Sequence, residues 1–148
     1  MRSIAALVFP GFETLDLFGP IEMFGMLSEE FSLSIVAEHQ GEVGSTHGQR
    51  VCVDHTFSAA KHFDMLLIPG GPGTRTQVDN PAMMDWLKAK AAQAEIVMSV
   101  CTGSALLAKA GLLDGRKATS NKMSFAWVKE QGRDVDWIDR ARWVEDGR

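Results

Sequence analysis

The sequence predicts one α/β domain built on a mainly parallel sheet, and three observations predict it. Short apolar runs of strand length recur at "SIAALVF" (3–9), within "FDMLLIPGGPG" (63–73) and at "EIVMSV" (95–100). They lack the alternation of a half-wet strand, as expected for parallel strands covered on both faces. Stretches with helical spacing separate the strands, so strands and helices alternate along the chain. The length, 148 residues, suits a single core, and no linker, internal repeat or low-complexity stretch divides it.

Taken in order, 3–9 is the first strand and "PGF" turns the chain. "ETLDLFGPIEMFGML" (13–27) places Leu15, Phe18, Ile21, Met23, Phe24 and Leu27 on a helical stripe, with Gly19-Pro20 a kink or a start. "FSLSIVAE" (31–38) is a second strand, and 41–58 a hairpin-like excursion of two short extended pieces around Gly44 to Gly48. The third core strand runs into a glycine-proline loop. "NPAMMDWLKAKAAQ" (80–93) is a helix with Asn80 as N-cap and Pro81 in its first turn. The fourth core strand, 95–100, leads into a helix over 102–111 closed by Gly111. A short strand at 117–120, a helix near 122–132 and a last extended piece at 141–146 complete the reading.

Charge and cysteine content exclude several classes. The net charge is −4 and no basic run occurs, so nucleic-acid binding has no electrostatic footprint. The apolar start is too short to span a membrane and soon meets Pro10, Glu13 and Asp16, so it reads as a strand in a cytoplasmic protein. Two cysteines, Cys52 and Cys101, make neither a disulfide framework nor a paired zinc motif. In Cys52-Val53-Asp54-His55, strand alternation puts His55 on the opposite face from Cys52 and Asp54, so no metal is expected there. The histidines, His39, His47, His55 and His62, read as solvated loop positions. The methionines, Met23, Met26, Met83, Met84 and Met98 among them, read as core filler.

In such sheets the site lies beyond the carboxyl ends of the strands. There, "EIVMSVCTGSALLAKAG" (95–111) passes from strand to helix at Cys101 without a loop. This is the layout of a nucleophile elbow, in which the residues two before and two after the nucleophile must be small; Ser99 and Gly103 comply. A helix starting after Cys101 presents free N–H groups that favour a thiolate, which predicts a lowered thiol pKa. A small apolar filler serves equally well in a bare Cys-Thr-Gly. "LLIPGGPG" adds weight to the chemical reading: Gly70 and Gly71 let backbone approach a bound atom, and the Gly71 amide with that of Thr102 could hold developing negative charge.

"IPGGPG" together with "SVCTGSALLAKAGLLDGRKAT" resembles the ThiJ/PfpI superfamily, relatives of class I glutamine amidotransferase domains. Within it, "FPGFETLDLFGPIEMF" is similar to the amino-terminal motif of isocyanide (isonitrile) hydratases. The resemblance runs from Ile4 to about Ser120. It implies a flavodoxin-like three-layer sandwich, commonly a homodimer acting on a small molecule, with Cys101 as nucleophile, Asp16 beside it and no cofactor. Beside a thiolate and partly buried, Asp16 would carry a raised pKa and donate a proton; on its own, Asp16 reads as well as a helix cap.

Two departures from the family bear on function. Many members have histidine after the strand that follows the elbow helix, whereas this chain reads Thr119-Ser120-Asn121-Lys122, which speaks against a Cys-His pair. Members also commonly continue past "RWVEDGR" with another strand and a glycine-rich helix, so the chain reads as a shortened or truncated member. The function expected is a cysteine-dependent hydro-lyase acting on an isocyanide. The alternatives are a ligand- or oxidation-sensing domain without turnover, and a glyoxalase or deglycase-type enzyme.

Overall fold

A computed structural model describes residues 1–148. Five parallel strands form the central sheet in the order β5-β2-β1-β6-β7. They are β1 (Arg2–Leu7), β2 (Phe31–Ala37), β5 (His55–Thr56), β6 (Met65–Ile68) and β7 (Ile96–Ser99). β1 and β6 lie at the centre, and their residues Ile4–Leu7 and Met65–Ile68 are all buried. That burial on both faces is why these runs show no alternation. Asp64 ties the two strands at their start: its Oδ2 accepts from Ser3 N at 2.7 Å and Ser3 Oγ at 2.8 Å.

From β1 the chain passes through α1 (Thr14–Gly25) to β2 on one side, then returns to place β6 on the other side of β1. From β6 it passes through α2 (Thr74–Gln77) and α3 (Pro81–Ala91) to β7. Right-handed crossovers in opposite directions put α1 and α3 on opposite faces of the sheet, giving the three layers of a flavodoxin-like fold. They also make the gap between the carboxyl ends of β1 and β6 a topological switch point. Asn80 caps α3 as the sequence predicts, accepting from Ala82 N at 3.1 Å. α4 (Gly103–Lys109) is buried along nearly its whole length and packs against α3 and α5 (Phe125–Glu130).

Several expectations need correction. The excursion is a hairpin, β3 (Glu42–Gly44) against β4 (Arg50–Cys52), but its last residues form β5 and join the main sheet. β7 is an edge strand and only half-buried, not a core strand. β8 (Lys117–Ala118) pairs with β9 (Asp136–Trp137), away from the central sheet, and 141–146 forms no strand. The largest correction concerns α1. Pro20 lies inside it, and of the predicted stripe Leu15, Phe18 and Met23 point to solvent; Leu17 is the buried residue. Met26 and Leu27 beyond it are exposed too, so these methionines are not core filler.

Candidate active site

Cys101 stands where β7 gives way to α4 and is the one non-glycine residue with positive φ, at 55°. A side chain in the left-handed region costs about 1–2 kcal/mol, and such strain marks positions that the surroundings over-determine. Here the surroundings are visible. Ser120 Oγ donates to the Cys101 carbonyl at 2.9 Å and Ser104 Oγ at 3.2 Å. On the far side of the corner, a Cβ on Gly103 would collide with the backbone oxygens of Ile68 and Pro69, so glycine there is a demand of packing. The sequence reading of an elbow flanked by small residues therefore has a geometric basis, whereas the part of Ser120 was not legible.

The glycine loop after β6 lies directly against the elbow. A Cβ on Gly70 would stand 2.5 Å from Thr102 N and 3.0 Å from Asp16 Oδ2. The loop amides are already committed: Gly70 N donates to Asp16 Oδ2 at 3.1 Å and Gly71 N to Thr102 Oγ1 at 2.9 Å. Thr74 Oγ1 joins this buried cluster, donating to the Gly71 carbonyl at 2.7 Å. The expectation that Gly71 offers a free amide to developing charge is thus not met; the Thr102 hydroxyl occupies it. The Thr102 N–H faces the Cys101 sulfur instead.

Asp16, on the first turn of α1, is brought to Cys101 across the switch point, within hydrogen-bonding reach of the thiol. Burial raises its pKa above the ordinary carboxylate value, and the nearby Glu13 charge adds to this; the Gly70 N–H and the Cys101 thiol pull the other way. The upward direction and its main cause, burial, agree with expectation, but the like-charge repulsion comes from Glu13 and not from the thiol. For the thiol the expectation reverses. Burial pushes Cys101 up, the Asp16 charge pushes it further, and the Thr102 N–H and hydroxyl do not offset them. Each negative charge disfavours the other, so the thiol and the carboxyl form a coupled pair between which a proton can pass.

A cavity of about 580 Å³ opens beside Cys101, enclosed by the edge strand β7, the 117–121 segment and residues 142–148. Ile96, Met98, Leu107 and Leu113 give it an apolar side, and Asn121 also lines it. Asn121 Oδ1 accepts from Met123 N at 2.9 Å, which starts the turn into α5. No histidine stands with the pair. His39, His47 and His62 are largely exposed, and His55 is half-buried against Lys61 Nζ at 2.9 Å. Cys52 is exposed, while Asp54 is taken up by Ile35 N at 2.7 Å.

The family model that matches this chain, DJ-1/PfpI, aligns with residues 2–148. The chain belongs to the DJ-1/PfpI family. It is 35% identical over 118 residues to an isonitrile hydratase of Pseudomonas putida, covering 80% of this chain and 51% of that one. It is 32% identical over 139 residues to a deglycase of Thermococcus kodakarensis, covering 93% and 81% respectively. A ThiJ/PfpI family crystal structure from Pseudomonas syringae superposes with a TM-score of 0.84 at 34% identity, over 99% of this chain and 60% of that one. The chain thus spans about half the length of the isonitrile hydratase it matches. No helix is long and apolar enough to cross a membrane.

Proposed function

We propose that this DJ-1/PfpI domain is a cysteine-dependent hydro-lyase that adds water to a small isocyanide, R–N≡C, giving the formamide R–NH–CHO. The observation that carries the reading is the pairing of Cys101, on its strained corner, with the Asp16 carboxyl and with no imidazole. A Cys-His pair suits acyl transfer from amides, whose leaving nitrogen needs a strong proton donor. An isocyanide has no leaving group, and a single shuttled proton suffices. The similarity of "FPGFETLDLFGP" to isocyanide hydratases supports the same choice.

The cycle balances with this chain's own groups. The Cys101 sulfur attacks the terminal carbon while Asp16 takes the thiol proton and delivers it to that carbon, leaving R–N=CH–S–Cys101. Asp16, again ionised, takes a proton from water as its oxygen adds to the same carbon, and the proton passes to nitrogen. The C–S bond then breaks as the adduct's hydroxyl gives its proton to Asp16, which passes it to the departing sulfur, and the formamide leaves. The raised carboxyl pKa is suited to a group that must hold and release a proton each turn. The Thr102 N–H, already directed at the sulfur, steadies charge there when the thiolate departs; Gly71 serves by holding the Thr102 side chain. The R group sits in the partly apolar cavity beside Cys101.

The test is production of the N-substituted formamide from an aryl isocyanide by this protein, with Cys101→Ala beside it. Turnover lost in the variant supports the reading; no formamide above the uncatalysed rate sinks it. A second reading is favoured by one observation: the Thermococcus deglycase aligns over more than four-fifths of both chains. Methylglyoxal-modified thiols as substrate in the same assay separate the two, because a deglycase would remove the adduct and free the thiol while leaving the isocyanide untouched.

A further inference from the structure

Two acidic side chains begin α1, and neither does what its place in a helix usually asks. Glu13 is the N-cap and Asp16 stands three residues on, the spacing of a capping box. Yet the Glu13 side chain makes no capping hydrogen bond, and the Glu13 N–H donates to the Gly70 carbonyl at 2.8 Å. Asp16 turns instead toward Gly70 N and Cys101. Glu13 turns toward His47, whose Nε2 lies 3.4 Å from its Oε1.

His47 belongs to the tip of the β3–β4 hairpin, and that tip is stitched to the start of α1. Gly11 N donates to the Gly44 carbonyl at 3.0 Å, and Thr46 N to the Phe12 carbonyl at 2.8 Å. Thr14 Oγ1 stands 3.0 Å from both Ser45 Oγ and Gln49 Oε1, and His47 N donates to Ser45 Oγ at 3.3 Å. The imidazole is therefore carried on a fixed mount beside Glu13. Neighbouring cations are engaged elsewhere: Arg50 of the hairpin pairs with Glu42 at 3.1 Å, and Arg75 of α2 lies over the Trp127 ring at 3.7 Å. His47 is the one basic group within 4 Å of the Glu13 carboxylate.

We infer that Glu13 and His47 form a positioning pair that decides how firmly Asp16 holds its proton. Residues three apart on a helix lie about 5–6 Å from one another at Cβ, close enough for the Glu13 charge to oppose ionisation of Asp16. Burial first, and this like charge with it, raise the Asp16 pKa. A histidine gains its charge in mildly acidic solution. Once His47 is an imidazolium it offsets Glu13, and Asp16 gives up its proton more readily. The pair thus keeps more of Asp16 ionised at acid pH than Glu13 alone would allow. For turnover this rests on the proposed reaction, in which Asp16 must be ionised to take the thiol proton; the site then works to lower pH.

The test is the titration of the Asp16 carboxyl carbon by NMR in protein carrying 13C-labelled aspartate, the signal assigned by its loss in Asp16→Asn. This readout needs no substrate, so it succeeds or fails apart from the isocyanide reading. Glu13→Gln keeps an acceptor for His47 and loses the charge, and is expected to move the midpoint to lower pH by about half a unit. His47→Gln is expected to move it to higher pH. The double variant should titrate like Glu13→Gln, because His47 acts through Glu13. A merely structural role would shift the melting temperature and leave the midpoint in place. A midpoint unmoved by either single variant overturns the inference, as does a double variant that titrates like His47→Gln.

Discussion

Replacing Cys101 by alanine and by glycine separates the strain at the corner from the chemistry of the sulfur. Both variants lose the nucleophile and the same contacts beyond Cβ, so their difference reports the backbone alone. At φ 55° alanine keeps the steric cost of the left-handed region, about 1–2 kcal/mol, whereas glycine has none. Against this, glycine enlarges the unfolded ensemble by about 0.4–1 kcal/mol. The balance makes Cys101→Gly more stable than Cys101→Ala by about 0.5–1 kcal/mol, or roughly 2–3 °C in Tm for a chain of this size. Paired urea and thermal melts read this difference, with turnover absent in both. If glycine is equal to or less stable than alanine, the corner is not strained and the pinning of its carbonyl by Ser120 and Ser104 has another meaning.

Three further outcomes follow from the same geometry. Asp16→Asn abolishes turnover without loss of stability at neutral pH: a carboxyl whose pKa is raised on folding favours the folded state at low pH, and that contribution is lost as pH rises toward the folded value. Wild type should therefore lose stability over that acidic-to-neutral range relative to the asparagine variant, as melts at stepped pH would read. Gly103→Ala drives a methyl into the Ile68 and Pro69 carbonyls and should cost about 3 kcal/mol or more, read by urea denaturation. Ser3→Ala removes a donor that helps hold the Asp64 pKa low; that stabilisation is present above the carboxyl's unfolded pKa and vanishes as pH falls through the folded one. The variant should begin acid unfolding at higher pH than wild type, followed by circular dichroism.

The strands that pack on both faces were the most legible part of the sequence, because continuous apolar runs have few other uses. The elbow was legible for a local reason: a strand and a helix meeting at Ser99-Val100-Cys101-Thr102-Gly103 leave only small residues room. What joined the site was not local. Asp16 meets Cys101 only because the chain reverses its direction across the sheet at β1, and no local pattern records that; only the resemblance of the stretch around residue 16 to a family motif pointed to it. The thiol pKa was misjudged because the helix start was weighed without the burial and the neighbouring carboxylate that tertiary structure adds. Gly71 was misassigned for a similar reason, since its amide meets a hydroxyl 31 residues away. On α1 the predicted stripe merged two faces: Ile21 and Phe24 pack on the core, whereas Leu15, Phe18 and Met23 face outward, and a helix apolar on both sides gives no sign of which side faces the core.

The most direct test of the central claim is the mass of the protein quenched during turnover of an isocyanide. Acid-quenched wild type should carry one added isocyanide mass, localised by peptide mapping to Cys101 and absent from Cys101→Ala and from Cys52. Formamide accumulating while Cys101 remains unmodified at every quench time, or with the adduct on Cys52, would contradict attack by the elbow sulfur.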